Sequence, residues 1–426
     1  MIAVLNNSWA LLLGMFLLMI GNGLQGSLLG IRGAIEGFDP ALLSYVISAY
    51  FIGFLGGSRL APVLIRKVGH VRTFAAMGSL ISAAFVLYAA VPDIIAWGVL
   101  RLIVGFSFSA VYIVAESWLN DASDNQTRGK ALSLYMVVQM LGIVSAQAML
   151  NFGDPAGYGL FVLISVLVSI SFMPILLTAS PAPIVQQTAR MTLGRLFRAS
   201  PLGFVGSILV GAVYSVMFGM AAVYGTERGL SVGEISAFVA AIYIGGLLLQ
   251  WPVGWISDRM DRRKLIIIVA GLCAIASGAG IAFSASPLAL YIVAFAIGGC
   301  VNPLYALMIA HTNDFLDQKD MPSAAAGLMF MGGVGSIGGP VMVGQAMQSL
   351  GSWAWFFYIL ACMAAISLYG LFRMTRRAAL GPAETGKFTA ITPSVGPVAM
   401  EIAQEVAQAN PGTGPGPVSD TAPSKP

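Results

Sequence analysis

The sequence predicts an all-α membrane protein: twelve transmembrane helices in two pseudo-symmetric six-helix bundles. Three observations predict it. Charge is scarce, at 9% of 426 residues, with 58% hydrophobic, against roughly 25% charged in an average soluble domain. Twenty-two basic and 18 acidic side chains cannot coat a water-soluble body of this size, so the surplus apolar surface needs lipid. That composition excludes an ordinary cytosolic enzyme, a nucleic-acid binder and a disordered protein. Apolar stretches long enough to cross a bilayer, about 20 residues each, recur twelve times. The second six of them repeat the first six.

The spans fall at 8–31, 41–65, 72–91, 95–118, 131–152, 157–178, 201–224, 235–257, 265–285, 288–312, 323–348 and 353–372. Turn residues separate most of them, as at Gly37-Phe38-Asp39-Pro40 and Gly153-Asp154-Pro155. None reads as the short alternating strand of a β-barrel. The first span lacks a basic start, its first positive residue being Arg32, so it reads as a retained helix rather than a signal peptide. Lys and Arg placement sets the orientation. With the N-terminus inside, 18 of the 22 positive residues fall in inside loops and the C-terminal segment, Arg190, Arg377, Lys387 and Lys425 among them. Arg32 and Arg228 lie outside, and Arg59 and Arg101 lie within spans. Both chain ends are therefore expected in the cytoplasm, and the chain in a bacterial inner membrane.

The longest internal loop divides six spans from six. It gives an N-terminal bundle over 1–178, a linker over 179–200, a C-terminal bundle over 201–375 and a tail over 376–426. The tail is rich in Pro, Gly, Ala, Thr and Ser and is expected to be disordered, with no part in transport chemistry. The repeat is visible by eye. SYVISAYFIG from Ser44 answers SAFVAAIYIG from Ser236, and YIVAESWLND from Tyr112 answers YALMIAHTND from Tyr305. Asp124 falls on Asp317, and the loop Arg66–Arg72 falls on Asp258–Lys264. Parallel repeats of this kind usually hold a binding site at their interface near the bilayer midplane.

The sharpest motif joins spans 8 and 9: Gly254-Trp255-Ile256-Ser257-Asp258-Arg259-Met260-Asp261-Arg262-Arg263. It resembles the signature loop of the major facilitator superfamily, GxxxD-R/K-x-G-R/K-R/K, with Asp261 in place of the second glycine. The resemblance implies a latch in which Gly254, Asp258, Arg259, Arg262 and Arg263 make pairs that change with the access state. In the first-half copy, Pro62 replaces the glycine and Arg66 the carboxylate, which suggests a rewired latch. Glu116 is the one carboxylate within a predicted span, and Arg59 lies at similar depth in span 2. In the resembled fold these spans are neighbours, so Arg59 and Glu116 are expected to pair, since buried charge in lipid is costly alone; simple snorkelling of Arg59 is the alternative.

Arg101-Leu102-Ile103-Val104-Gly105 resembles the superfamily's RxxxG segment, whose arginine is implicated in proton or substrate coupling. Arg101 either faces an anion in a cavity or holds backbone carbonyls. Roughly 22 Å of helix separates it from Glu116. Polar and tyrosine side chains within spans mark a candidate pathway: Asn22, Gln25, Tyr112, Gln139, Tyr214, Asn302 and Tyr305. Each could equally bond between helices. As a set they fall on spans 1, 4, 5, 7 and 10, which line the cavity in the resembled fold. Gly332 to Pro340 in span 11 reads as a close-packing or hinge segment. The segments Arg72–Ala75, Ala115–Asn120 and His311–Asp314 look like the YcaD-like branch of bacterial carriers.

Three scattered cysteines and two histidines suggest neither a disulfide framework nor a metal site. No catalytic constellation and no nucleotide-binding loop is present, so neither an enzyme nor a cofactor is expected. The reading is a monomeric secondary transporter of a small solute with some preference for an anionic group, working by alternating access in the bilayer. Proton coupling would need Glu116, the sole titratable acid in a span. A facilitated-diffusion uniporter and a non-transporting sensor on a carrier scaffold stay open.

Overall fold

A computed structural model describes residues 2–123, 127–177, 191–376, 386, 388–393 and 395–409, with side chains from 8 to 406 within those ranges. Asp124, Arg190, Arg377, Lys387 and Lys425, most of the linker, and the tail segments 377–385 and 410–426 lie outside the described residues.

The first half comprises α1 (Ile2–Ile35), α2 (Pro40–Val68), α3 (His70–Ala90), α4 (Ile94–Asp121), α5 (Arg128–Met149) and α6 (Gly159–Leu176). After a short α7 (Leu193–Ala199), the second half comprises α8 (Pro201–Gly219), α9 (Ala221–Glu227), α10 (Val232–Ser257), α11 (Arg262–Ala282), α12 (Pro287–Asn313), α13 (Met321–Leu350) and α14 (Ala354–Met374). A last helix, α15, runs Pro397–Ala409. Among the described residues, twelve helices are long and apolar enough to cross a membrane, as the sequence predicts.

The turn residues do the expected work. Gly37 takes φ +80°, the Asp39 carboxylate accepts from Leu42 N–H, and Pro40 opens α2 where its missing N–H costs nothing. Asp93 caps α4 and Ser231 with Glu234 forms a capping box on α10. Two expectations are refined. Span 7 is broken at Met220 into α8 and α9. The glycine run in span 11 leaves α13 continuous and seats it against α8: a side chain on Gly335 would meet the Ile208 carbonyl.

Packing follows the repeat. In the first half α2 lies on α4, α1 on α5, and α3 on α6; in the second, α10 lies on α12, α8 on α13, and α11 on α14. The same glycines make the same close approach twice. Gly105 sits against the Tyr50 carbonyl and Gly298 against the Ile242 carbonyl, leaving no room for a Cβ at either. Between halves, α2 meets α13, α5 meets α10, and α1 meets α9.

One tail expectation is corrected. Residues 397–409 form a helix, and Ile391, Val395, Ala399, Met400, Ile402 and Ala403 are buried. Pro, Gly and Ala content had pointed to a solvated coil. The segment is ordered by contact with the rest of the chain, against α4, α5 and α13.

Candidate functional site

Between the halves lies a chamber lined by residues from both. Most of the spans carry an excess of Lys and Arg at one end, here the basic end. At the opposite end the halves touch directly. Ser48 Oγ donates to the Ile337 carbonyl at 2.8 Å, Gln345 Nε2 to Tyr45 Oη at 3.1 Å, and Asn151 Nδ2 to Ser236 Oγ at 3.3 Å. Gly30 of α1 packs on Ala222 of α9, and Gly344 of α13 on Ser44 of α2. Small residues let the backbones approach without side chains to hold them apart.

Six of the eight predicted pathway residues line the chamber: Asn22, Gln25, Arg101, Tyr112, Tyr214 and Tyr305. Asn22 Nδ2 donates to Tyr112 Oη at 3.5 Å, and Tyr112 Oη to Met19 Sδ at 3.4 Å. Gln139 and Asn302 are buried elsewhere. Asn302 Nδ2 donates to its own helix at Gly298 O, 3.4 Å away, and fills the space beside Gly246 of α10. Its role there is packing between α12 and α10.

Arg101 is 4% exposed. Its guanidinium lies over the Tyr50 ring at 5.2 Å and its Nε has no partner. No carboxylate pairs with it among the described residues. Of the two readings open at the sequence level, the chamber-facing one fits this geometry, since Arg101 lines the chamber and no backbone carbonyl accepts from it among the described residues. Aromatic rings surround the space, with Tyr50 and Phe54 on α2 and Tyr243 on α10. Phe218 and Tyr243 rings lie 4.2 Å apart. Sequence reading missed these rings, because aromatics at helical spacing look like ordinary core. It also passed over Gln147, which accepts from Ser27 Oγ at 2.7 Å and donates to Gly23 O at 3.2 Å. A polar amide within an apolar span was the available signal.

The expected Arg59–Glu116 ion pair is absent. Arg59 reaches across to α13, its guanidinium 4.1 Å from the centre of the Phe330 ring. Glu116 is fully buried and accepts from two tail amides, Gly396 N–H at 2.7 Å and Ala399 N–H at 2.9 Å. The two charges are served by different partners.

The motif between α10 and α11 is a charged knot. Arg262 is the hub: it meets Asp314 at 2.5 Å, Ser257 Oγ at 3.1 Å and Asp258 at 3.8 Å, and donates to the Gly386 carbonyl. Burial pushes the Asp314 carboxyl up, against the pull of Arg262. Asp258 accepts from Phe388 N–H at 2.7 Å. Gly254 supplies the seat for the Phe388 ring, 2.6 Å from where a Cβ would stand. Arg259 stacks on Trp255 at 4.0 Å, and Arg263 pairs with Asp261 at 3.2 Å. Asp261, the departure from the motif's glycine, has φ −55° and caps α11 by accepting from Arg263 N–H. This turn needs no left-handed residue, so a capping carboxylate replaces the glycine at no conformational cost.

The sequence matches the family model described as Major Facilitator Superfamily over residues 11–242 and again over 204–407. The chain belongs to the Major Facilitator Superfamily. It is 24% identical over 368 residues to an uncharacterized MFS-type transporter, YcaD, of Escherichia fergusonii, covering 86% of this chain and 95% of that one. A second uncharacterized MFS-type transporter, from Enterobacter sp. strain 638, is 26% identical over 375 residues, covering 85% and 94%. Both likenesses agree with the YcaD-like resemblance seen in the sequence. Among solved structures, the nucleoside transporter NupG matches with TM-score 0.74 at 16% identity, over 87% of this chain and 99% of that one. A bacterial homolog of the human lysosomal transporter Spinster matches with TM-score 0.65 at 14% identity, over 96% and 98%. This MFS protein is thus a multi-pass membrane transporter.

Proposed function

We propose that the protein is a secondary carrier of a small anionic solute in the bacterial inner membrane, with its basic end facing the cytoplasm. The carrying observation is Arg101: a buried guanidinium with no carboxylate partner among the described residues, facing a chamber that both halves build and that the halves themselves shut at one end. A buried cation is costly unless something pairs with it, and the solute is the natural partner. The aromatic rings add apolar area and π faces, so a carboxylate attached to a planar or apolar body fits better than a bare inorganic ion. Transport would proceed by rocking of the halves 1–178 and 201–375 about this site.

Glu116 bears on coupling. It is engaged by tail amides in this conformation, which supports a carrier whose chamber chemistry runs without it and favours facilitated diffusion over proton symport. A transport rate that follows an imposed pH gradient would contradict that choice.

A thermal-shift screen on purified protein tests the anion reading. Aromatic and aliphatic carboxylates are compared with their neutral amides. A true ligand at 100 times its Kd stabilises the folded state by about 2.7 kcal/mol. The expected result is stabilisation by a carboxylate, not by its amide, that disappears in Arg101→Ala. Stabilisation by the neutral amides alone, or carboxylate binding unchanged in Arg101→Ala, would overturn it.

A further inference from the structure

On the basic side the halves touch at Arg59 and Phe330, and the C-terminal segment lies across the rest. Pro393 reaches the chamber wall. Behind it, α15 lies against α4 and α5 of the first half and α13 of the second. Its buried face, Val395, Ala399, Met400, Ile402 and Ala403, would be wasted in solvent.

Polar contacts fix the segment to both halves. On the first, Glu116 receives Gly396 N–H and Ala399 N–H, and Arg128 pairs with Glu405. On the second, Asn313 Nδ2 donates to Gln404 Oε1, and the motif residues Asp258 and Arg262 hold Phe388 and Gly386. Glu116 sits at the N-terminus of a 13-residue helix, where exposed amides and the helix dipole favour an anion. No cationic side chain pairs with Glu116 among the described residues. The Tyr135 hydroxyl of α5 also lies beside this carboxylate, but its described N–H donors are the tail's own backbone, so removing the tail would strip a buried carboxylate of both amides.

We propose that the described tail residues, Gly386, 388–393 and 395–409, form a tethered plug. It occupies the solute's path at the basic end, wedges the halves apart there, and must withdraw before solute passes or the halves close at that end. Glu116 is its anchor, and the signature loop, beyond its superfamily role, clamps its entry. The consequence for transport rests on the carrier reading above; the docking itself does not.

The test uses the full chain in inside-out membrane vesicles, with Cys273, Cys300 and Cys362 replaced by Ala. Gly129→Cys and Val406→Cys form the lock. A Cβ on Gly129 stands 3.2 Å from Val406 Cγ1, a position like that of a cysteine Sγ, which puts the pair within reach of a disulfide. Ser58→Cys, on the chamber wall, is the reporter for a membrane-impermeant maleimide added from the basic side. The pair should cross-link on oxidation, and the reporter should then label about tenfold more slowly than after reduction. Truncation after residue 385 and Glu116→Gln should each label faster than the reduced full chain. A pair that does not cross-link, or labelling equal in locked, reduced and truncated proteins, would overturn the plug. The locked and reduced forms share one full chain, so misfolding of the truncation leaves the test intact. Labelling needs no solute, so its failure is separable from failure of the Arg101 ligand screen.

Discussion

The two ends of the chamber are shut in different ways. At the end away from the basic loops, α2 meets α13 and α5 meets α10 directly, through glycine, serine and short polar contacts. At the basic end, the α5 and α10 sides are bridged instead by a detachable segment, with Val406 against Gly129 and Phe388 against Gly254. The first closure opens only if the halves rotate as bodies. The second opens if one segment leaves. A carrier held this way has one gate made of its fold and another made of its tail.

The difference can be broken at either end. The largest effect is expected at the direct closure. Gly344→Leu would drive a branched side chain into Ser44 and the Pro40 carbonyl, 2.7 Å from the new Cβ. Overpacking of this kind typically costs about 1–3 kcal/mol and occasionally more. The far end should open, and an impermeant thiol reagent in right-side-out vesicles should reach Ser27→Cys, which lines the chamber. At the plugged end, Glu116→Ala removes two hydrogen bonds to a charged acceptor, weakening docking by about 2–3 kcal/mol. Hydrogen exchange at the amides of 397–409 should accelerate accordingly, while the amides of α2 and α13 stay protected.

Between the ends, Arg101→Ala should remove about 2 kcal/mol of affinity for an anionic ligand, read by isothermal titration. Arg101→Lys should keep part of it, since charge survives and the fork geometry does not. The smallest effect is expected at Asp261→Ala, about 1 kcal/mol from loss of the α11 cap, read as a lowered melting temperature. Burial raises the Asp261 carboxyl, but hydrogen bonds from Arg263 outweigh it and hold the group below its ordinary value. Its contribution is therefore fully present above the ordinary carboxylate range and is lost as pH falls through the lower folded value. An Asp261→Ala protein whose melting temperature equals wild type at neutral pH would show that the cap contributes nothing.

Much of the architecture was legible because bilayer thickness and the repeat constrain it. Spans follow from apolar length, and the two like-packed halves follow from the repeated sequence. Arg101 and the amides stood out because polar groups are rare in apolar runs. Tyr50, Phe54 and Tyr243 did not, because a ring facing a cavity and a ring facing a core leave the same trace. The partner of Glu116 was illegible for a different reason. Pairing Arg59 with Glu116 assumed that the spans must neutralise their own charges, whereas the donors are backbone amides some 280 residues away in sequence. The tail's composition hid its role, since α15 buries a face only when the chamber's mouth is there to receive it.

The central claim is that the halves pivot about the chamber and that the plug holds them in the state seen here. The most direct measurement is a pulsed electron-electron distance between spin labels at Tyr45→Cys and Gln345→Cys, whose native side chains are hydrogen-bonded across the closed end. The full chain should give one short distance. Truncation after residue 385 should add a second, longer population, as freed halves close at the basic end and part at this one. A single short distance with and without the tail, in the presence of a bound carboxylate as well, would contradict the account.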